Sequence, residues 1–404
     1  MPTVLAIPYD IAALEAGPVP TAPEPRLPQP LAPHGPFVRG AIRDLARALA
    51  ESSRPFLLAG RGAWLAGAGE ALGELAALTG ALTASTALGR GIFPESEFDL
   101  GVTGGFGAEG AMDLIREADV AVVFGASLNQ FTMRFGELFA PGTRVFQVDT
   151  APTATHPHVG GYVRGDAAVV TRMLVAELSV LPARSAPWRE SVDLAGVRSY
   201  DPGDGIASDG RLDPRSVAVR IGELLPADRV VVSDGGHFIG WANMHWPVAS
   251  PDRMLMVGTA FQSIGLGFPS VPGAALAKPD ATIVLTTGDG GGLMALADLE
   301  SSVRVAGGRG MAVVWNDAAY SAEVNLYGLK GLAIGPMLIP EVDFAGFARA
   351  VGAEGVVVRS LADLDRLESW AAEDAASRPF LLLDCRISGA VIAPYQQEVI
   401  RVNS

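Results

Sequence analysis

Apolar and polar positions follow two rhythms along this chain. Continuous apolar runs of strand length occur at 55-PFLLAG-60, 120-VAVVFGA-126 and 144-RVFQVDT-150. They lack polar alternation, as strands buried on both faces do. Between them, 38-VRGAIRDLARALAES-52, 68-AGEALGELAALTG-80 and 109-EGAMDLIREA-118 repeat apolar residues every three or four positions, which predicts helices with one buried face. The same pattern resumes with helix 214-PRSVAVRIGELLP-226 and strands at 229-RVVVSD-234, 281-ATIVLTT-287, 311-MAVVWN-316 and 380-FLLLDC-385. Alternating strands and helices of this length imply parallel strands joined by crossover helices. The chain therefore reads as two α/β domains, over 37–181 and 212–404, each a doubly wound parallel sheet, with a Pro-, Gly-, Ser- and Asp-rich linker at 182–211.

The remaining segments break the rhythm. Residues 12–36 hold eight prolines and no apolar periodicity, so they read as an extended, semi-rigid linker. Before it, 3-TVLAIPYDI-11 reads as one buried strand. A lone strand needs sheet neighbours, so residues 1–11 are expected to be the final strand of another domain. Residues 254–277 carry no charge over a length that could span a bilayer. Their glycines and prolines would break a helix repeatedly, and Gln262 would be costly in lipid, so a buried loop and helix beside a ligand is expected and no membrane contact.

Composition narrows the partners. A chain of 404 residues suits two cores, and 49% hydrophobic with 18% charged residues suits large buried sheets. The formal charge of −14 disfavours nucleic acid and anionic membrane, so an anionic ligand must be held locally by backbone N–H groups, a cation or a metal. The single cysteine, Cys385, lies in an apolar run and is expected to be a buried structural thiol in a reducing cytosol. The first residues carry no secretory signal, so a cytoplasmic location is expected.

The chemistry concentrates in 286-TTGDGGGLMALADLESSVRVAGGRGMAVVWNDAAY-320. Asp289 follows one predicted strand and Asn316 ends the next, with a helix expected over 293–306 between them. A right-handed βαβ unit makes such strands neighbours, and ligands sit beyond their carboxyl ends. One carboxylate and one amide oxygen suit Mg²⁺, which completes its shell with water and phosphate oxygens. Gly290, Gly291 and Gly292 allow close backbone approach to a phosphate at a helix start. A lone Gly-Asp-Gly would more often be a plain turn. Here 25 residues, filled by a helix and a strand and closed by Asn, separate it from Asn316, and that makes the cradle the better reading.

This GDG, 25-residue interval and Asn resembles the signature of thiamine-diphosphate-dependent enzymes. Segments 263-SIGLGFPSVPGAALAKPD-280 and 234-DGGHFIGWANMHW-246 are similar to the neighbouring loops of the acetolactate synthase-like superfamily, and 37–181 resembles its central domain. The resemblance implies that Asp289, Asn316 and the Ala318 carbonyl hold Mg²⁺, and that Gly288, Gly290 and Gly291 meet the diphosphate of thiamine diphosphate. Ile264 would be the bulky residue on which the cofactor bends, Gly235 and His237 would contact diphosphate or substrate, and Tyr320 would line the site edge. His237, just after strand 229–234 on the ligand edge, is the candidate catalytic residue. Asp317 departs from the family, which often has a second Asn there. The resemblance to acetolactate synthases, which bind FAD in the central domain, makes FAD a possible second cofactor, although the turn 60-GRGAWLAGAG-69 does not spell a dinucleotide motif.

The resemblance further implies decarboxylation of a small 2-oxo acid and transfer of the remainder to a second carbonyl. A simple decarboxylase or aldehyde lyase is the enzymatic alternative, and a non-catalytic cofactor-binding subunit or fragment the other. Members of this superfamily also carry a pyrimidine-binding domain whose Glu contacts the cofactor ring, and no Glu here takes that role. Truncation of a longer protein, a partner chain or an inactive subunit would each explain this, and truncation fits a strand-like start at 3–11 best. A homodimer or homotetramer, or a separate pyrimidine-domain chain, is the expected assembly. His156 and His158 lack a third ligand and read as a solvated loop, while Glu323 and Asn325 lie where substrate choice is set in the superfamily.

Overall fold

The computed structural model describes residues 5–18, 21, 29–33, 38–94, 97–181, 188–259 and 263–403. Two six-stranded, all-parallel sheets carry the fold. The first contains β1 (Pro55–Ala59), β2 (Leu82–Ser85), β3 (Asp99–Val102), β4 (Val120–Phe124), β5 (Arg144–Asp149) and β6 (Val159–Arg164), ordered β3-β2-β1-β4-β5-β6. The second contains β7 (Arg229–Ser233), β8 (Met254–Met256), β9 (Thr282–Gly288), β10 (Gly310–Asn316), β11 (Glu354–Val358) and β12 (Leu381–Arg386), ordered β11-β12-β10-β9-β7-β8.

Both are doubly wound. Along β1, Phe56 and Leu58 pack into one core while Leu57 and Ala59 pack into the core on the opposite face. β10 divides likewise, with Met311, Val313 and Trp315 on one side and Ala312 and Val314 on the other. This two-sided burial is why the central strands read as unbroken apolar runs. Cys385 lies on β12, fully buried, with its thiol pushed up by burial, as a structural cysteine should be.

Several expectations change. Residues 5–8 form no strand and Tyr9–Ala12 make a single helical turn, with every described residue of 5–18 exposed. Residues 1–4 of the expected strand lie outside the described residues. The expected strand was one completed by another domain's sheet, and without a neighbouring ladder its N–H and C=O groups bond more cheaply to water. The segment 188–200 is a packed strap, because Trp188 is buried in the first domain's core and Tyr200 Oη donates to Phe106 O at 2.7 Å. The uncharged stretch 254–277 divides into β8 and helix Gly267–Ala277, with Gln262 outside the described residues. Among the described residues no helix is long and apolar enough to cross a membrane.

Candidate functional site

In an open parallel sheet a crevice forms where connections diverge, at the carboxyl ends of the strands. β7 marks that point in the second sheet, lying between β8 and β9. The segments at the ends of β7, β9 and β10 bring Gly235–Phe238, Gly288–Gly291, Asp317 and Ala319–Glu323 around one pocket, which Asn316 and Ala318 do not line. This pocket has a volume of about 40 Å³, space for a few water-sized groups. Gly235, Gly236, Ile264, Ala322 and Glu323 also line an adjoining cleft of about 1040 Å³, whose other wall is Arg61, Thr86, Ser127, Asn129 and Asp149 at the carboxyl edge of the first sheet.

The helix after β9 begins at Asp289 itself, as Asp289–Met294, and a second one resumes at Asp298–Ala306. It therefore starts earlier than the expected 293 and is interrupted. The glycines serve close approach rather than a loose turn. A Cβ on Gly290 would lie 2.5 Å from Tyr320 Cε1, one on Gly291 2.9 Å from Asp234 Oδ2, and one on Gly292 3.0 Å from Phe344 Cε1. First-turn N–H groups have no intrahelical acceptor. That of Gly290 donates to Asp289 Oδ1 at 2.8 Å.

Register sets Asp289 beside Asn316, since Trp315 of β10 pairs with Gly288 of β9. The Asp289 carboxylate bridges the two strand ends: Oδ2 accepts from Ala318 N at 2.8 Å. Burial, and then the charge of Asp317, push its carboxyl up to about 7, against the N–H groups of Gly290, Ala318 and Ala319. Burial likewise pushes Asp317 up to about 6, although Ser321 Oγ donates to it at 2.5 Å. Asn316 is fully buried, and its Nδ2 donates to Val342 O at 3.0 Å and Asp384 Oδ1 at 2.9 Å. Two acceptors on one end identify it as the NH₂ end, which leaves Oδ1 buried with no partner. Such an orphan costs about 1–3 kcal/mol unless something outside the protein satisfies it. Ala318 adopts φ 62°, a left-handed conformation costly for a non-glycine residue and typical of functional sites.

Two family models match the chain: the thiamine pyrophosphate enzyme central domain over residues 42–174, and the C-terminal TPP binding domain over 234–385. The chain belongs to the thiamine pyrophosphate enzyme family. It is 27% identical over 389 residues to the sulfoacetaldehyde acetyltransferase of Roseovarius nubinhibens, covering 89% of this chain and 64% of that protein. It is 29% identical over 337 residues to the acetolactate synthase of Mycobacterium leprae, covering 78% of this chain and 52% of that protein. The chain thus spans between half and two thirds of the length of these relatives. The crystal structure of benzoylformate decarboxylase from Polynucleobacter necessarius shares the fold, with a TM-score of 0.69 at 19% identity over 92% of this chain and 68% of that one.

The residues present fit the family's cofactor. The domains imply thiamine diphosphate. No cluster of three or more His, Cys, Asp or Glu side chains that could hold a metal occurs among the described residues, so a cation here would need the Asp289 carboxylate, amide or carbonyl oxygens, and phosphate oxygens. The orphaned Asn316 Oδ1 is such an oxygen. The Ala318 carbonyl accepts from Ile339 N at 3.0 Å, which leaves its second lone pair. Gly235, Ile264, Gly288, Gly290, Gly291 and Tyr320 all line the pocket.

His237 lines it too, but in an unexpected state. Its Nε2 accepts from Ala393 N at 3.0 Å, and burial lowers its pKa to about 4. Such an imidazole is neutral, with its basic nitrogen already used, so it can donate from Nδ1–H and is no general base. In the first sheet, the Gly60 and Gly62 N–H groups donate to Phe124 O and Gly125 O, both at 2.9 Å. The first two glycine N–H groups of the turn after β1 are therefore both occupied within the fold.

Sequence reasoning passed over Asp384 and Asp234. Asp384 orients Asn316, accepts from Phe344 N at 3.0 Å and pairs with Arg386 at 2.5 Å. Its signal was an acid inside the apolar run FLLLDC.

Proposed function

We propose that this chain carries the central and diphosphate-binding parts of a thiamine-diphosphate- and Mg²⁺-dependent enzyme acting on small 2-oxo acids, with acetolactate synthase-like decarboxylation and carboligation as its reaction. The observation that carries this reading is the unpartnered, buried Oδ1 of Asn316, held at a strand end neighbouring that of Asp289, which lines the glycine-rich pocket. Asp289, Asn316 and the Ala318 carbonyl would hold the magnesium, and Gly235, Gly290 and Gly291 would receive the diphosphate. Ile264 would support the heterocyclic part. When bound, the cofactor supplies a nucleophilic carbon and an electron sink for decarboxylation. The protein's own groups bind, orient and exclude water, with His237 as a neutral donor at the pocket wall.

The adjoining cleft of about 1040 Å³ offers space for substrate. The Glu that would meet the aminopyrimidine is assigned to residues outside this chain, from an upstream segment, a homo-oligomeric partner or a separate pyrimidine-domain chain. The setting would be cytoplasmic. A second enzymatic reading, as a 2-oxo acid decarboxylase, an aldehyde lyase or an acetyltransferase, draws on the sulfoacetaldehyde acetyltransferase relative. A non-catalytic cofactor-binding role draws on the partial span of the relatives.

Calorimetry tests the core of the proposal. Thiamine diphosphate should bind in the presence of Mg²⁺ and not with chelator, and Asn316→Ala should weaken it without unfolding the chain. Metal-independent binding, or none, would refute the cradle. Pyruvate added afterwards should give little acetolactate or acetaldehyde from the chain alone, and efficient unaided turnover would refute the external Glu.

A further inference from the structure

Asp234 follows directly on β7 and is fully buried, yet forms no ion pair among the described residues. Its carboxylate is met instead by neutral donors. Gly235 N donates to Oδ1 at 2.8 Å, Gly265 N to both oxygens at 3.2 Å, Leu266 N to Oδ1 at 3.3 Å, and Thr287 Oγ1 to Oδ2 at 3.1 Å. A buried carboxylate tolerates burial only when donors saturate it in this way. The donors lie on three separate segments: the turn after β7, the turn before helix Gly267–Ala277, and β9 next to the Gly-Asp-Gly sequence.

Each of these segments supplies a wall of the pocket. Ile264, one residue before the first gripped N–H, lies between two of its glycines. A Cβ on Gly235 would be 3.5 Å from Ile264 Cγ1, and one on Gly291 would be 3.2 Å from Ile264 Cγ2 and 2.9 Å from Asp234 Oδ2. Gly265 itself has φ +85°, so the backbone here takes a left-handed bend that the carboxylate holds from beneath.

We infer that Asp234 is a positioning residue: by clamping Gly265, Leu266 and Thr287 it sets Ile264, and with it the shape of the pocket face that takes the heterocyclic part of the cofactor. This rests on the thiamine-diphosphate reading above. Asp234 lies behind the glycines and does not line the pocket, so its effect reaches the ligand through Ile264.

The test compares thiamine diphosphate with inorganic diphosphate by calorimetry, both with Mg²⁺. Asp234→Asn keeps the shape but turns one acceptor into an NH₂ group facing N–H donors. It should weaken thiamine diphosphate by about tenfold, the scale of one lost charged hydrogen bond, and leave inorganic diphosphate within about twofold. Ile264→Ala should reproduce that split, and the double variant should lose little more, since the two act through one contact. Equal weakening of both ligands, no weakening of either, or additive losses would overturn the inference, because a general structural role moves both ligands together. If Asp234→Asn does not fold, Thr287→Val removes one clamp donor and should give the same split at about threefold, with no split overturning it. Wild type that binds neither ligand defeats the cofactor reading itself, whereas wild type that binds both without the split defeats only this inference.

Discussion

Replacing Asp289 by Asn should stabilise the metal-free chain while abolishing magnesium-dependent cofactor binding. Asp289 is 3% exposed, and its carboxyl rises from 3.8 to about 7, first by burial and then by the charge of Asp317. Because the folded-state value lies above the unfolded one, the folded chain holds the proton more tightly. Its stability falls as pH rises from 3.8 towards about 7 and is flat beyond. At about 1.36 kcal/mol per unit, holding this charge without a metal costs on the order of 4 kcal/mol above that range. Asn removes the charge but has one acceptor oxygen. Gly290 N and Ala318 N now donate to different oxygens of Asp289, so one of them loses its partner, at about 1–3 kcal/mol. The net gain should be roughly 1–3 kcal/mol near pH 8 and should shrink by about 2–3 kcal/mol, to near zero, at pH 5, where the folded wild-type carboxyl is protonated. Urea unfolding of both proteins in chelator, at the two pH values, measures this directly. With saturating Mg²⁺ and thiamine diphosphate the order should reverse, as ligand binds only the wild-type fold. An Asn variant less stable than wild type near pH 8, or a difference that ignores pH, would refute the reasoning.

Asp317→Asn removes the neighbouring charge that raises Asp289, so half-maximal Mg²⁺ binding should move to lower pH by up to about one unit, readable in a calorimetric pH series. An unmoved profile would show that burial alone sets Asp289. Asp384→Ala frees the Asn316 amide to rotate, and should cut Mg²⁺ affinity about 10–100-fold although Asp384 is no ligand. Unchanged affinity would mean that Val342 O suffices to hold it. Gly290→Ala pushes a methyl group to 2.5 Å from the Tyr320 ring and should cost about 1–3 kcal/mol in thermal unfolding. Adding Tyr320→Ala should recover most of that loss, and purely additive effects would place the strain elsewhere.

The long central strands were legible because burial on both faces writes them as unbroken apolar runs: β1, β4, β5, β7, β9, β10 and β12 lie within a residue or two of where the pattern put them. The strands it passed over are short or carry weak patterns. β3 (Asp99–Val102) contains Gly101 at φ 85°, β11 (Glu354–Val358) opens on Glu-Gly, and β8 has three residues. Four of them, β3, β6, β8 and β11, lie at sheet edges, where one side lacks a ladder and local preference is weak. Residues 5–11, read as part of a strand completed by another domain, form no ladder among the described residues.

The Gly-Asp-Gly to Asn interval pointed to the site's place on the fold, because a βαβ unit of that length has few ways to close, while the family came from the resemblance of that interval and its flanking segments to a known signature. Tertiary structure decided the chemical state of each group. Nothing local to Asn316 says that Val342 and Asp384, far along the chain, occupy its NH₂ end and expose an unmet oxygen. Nothing local to His237 says that Ala393 takes its basic nitrogen. Residue order fixes which side chains reach the sheet edge, but burial and hydrogen-bond partners set their charge and availability, and those come from segments that meet only in the folded chain.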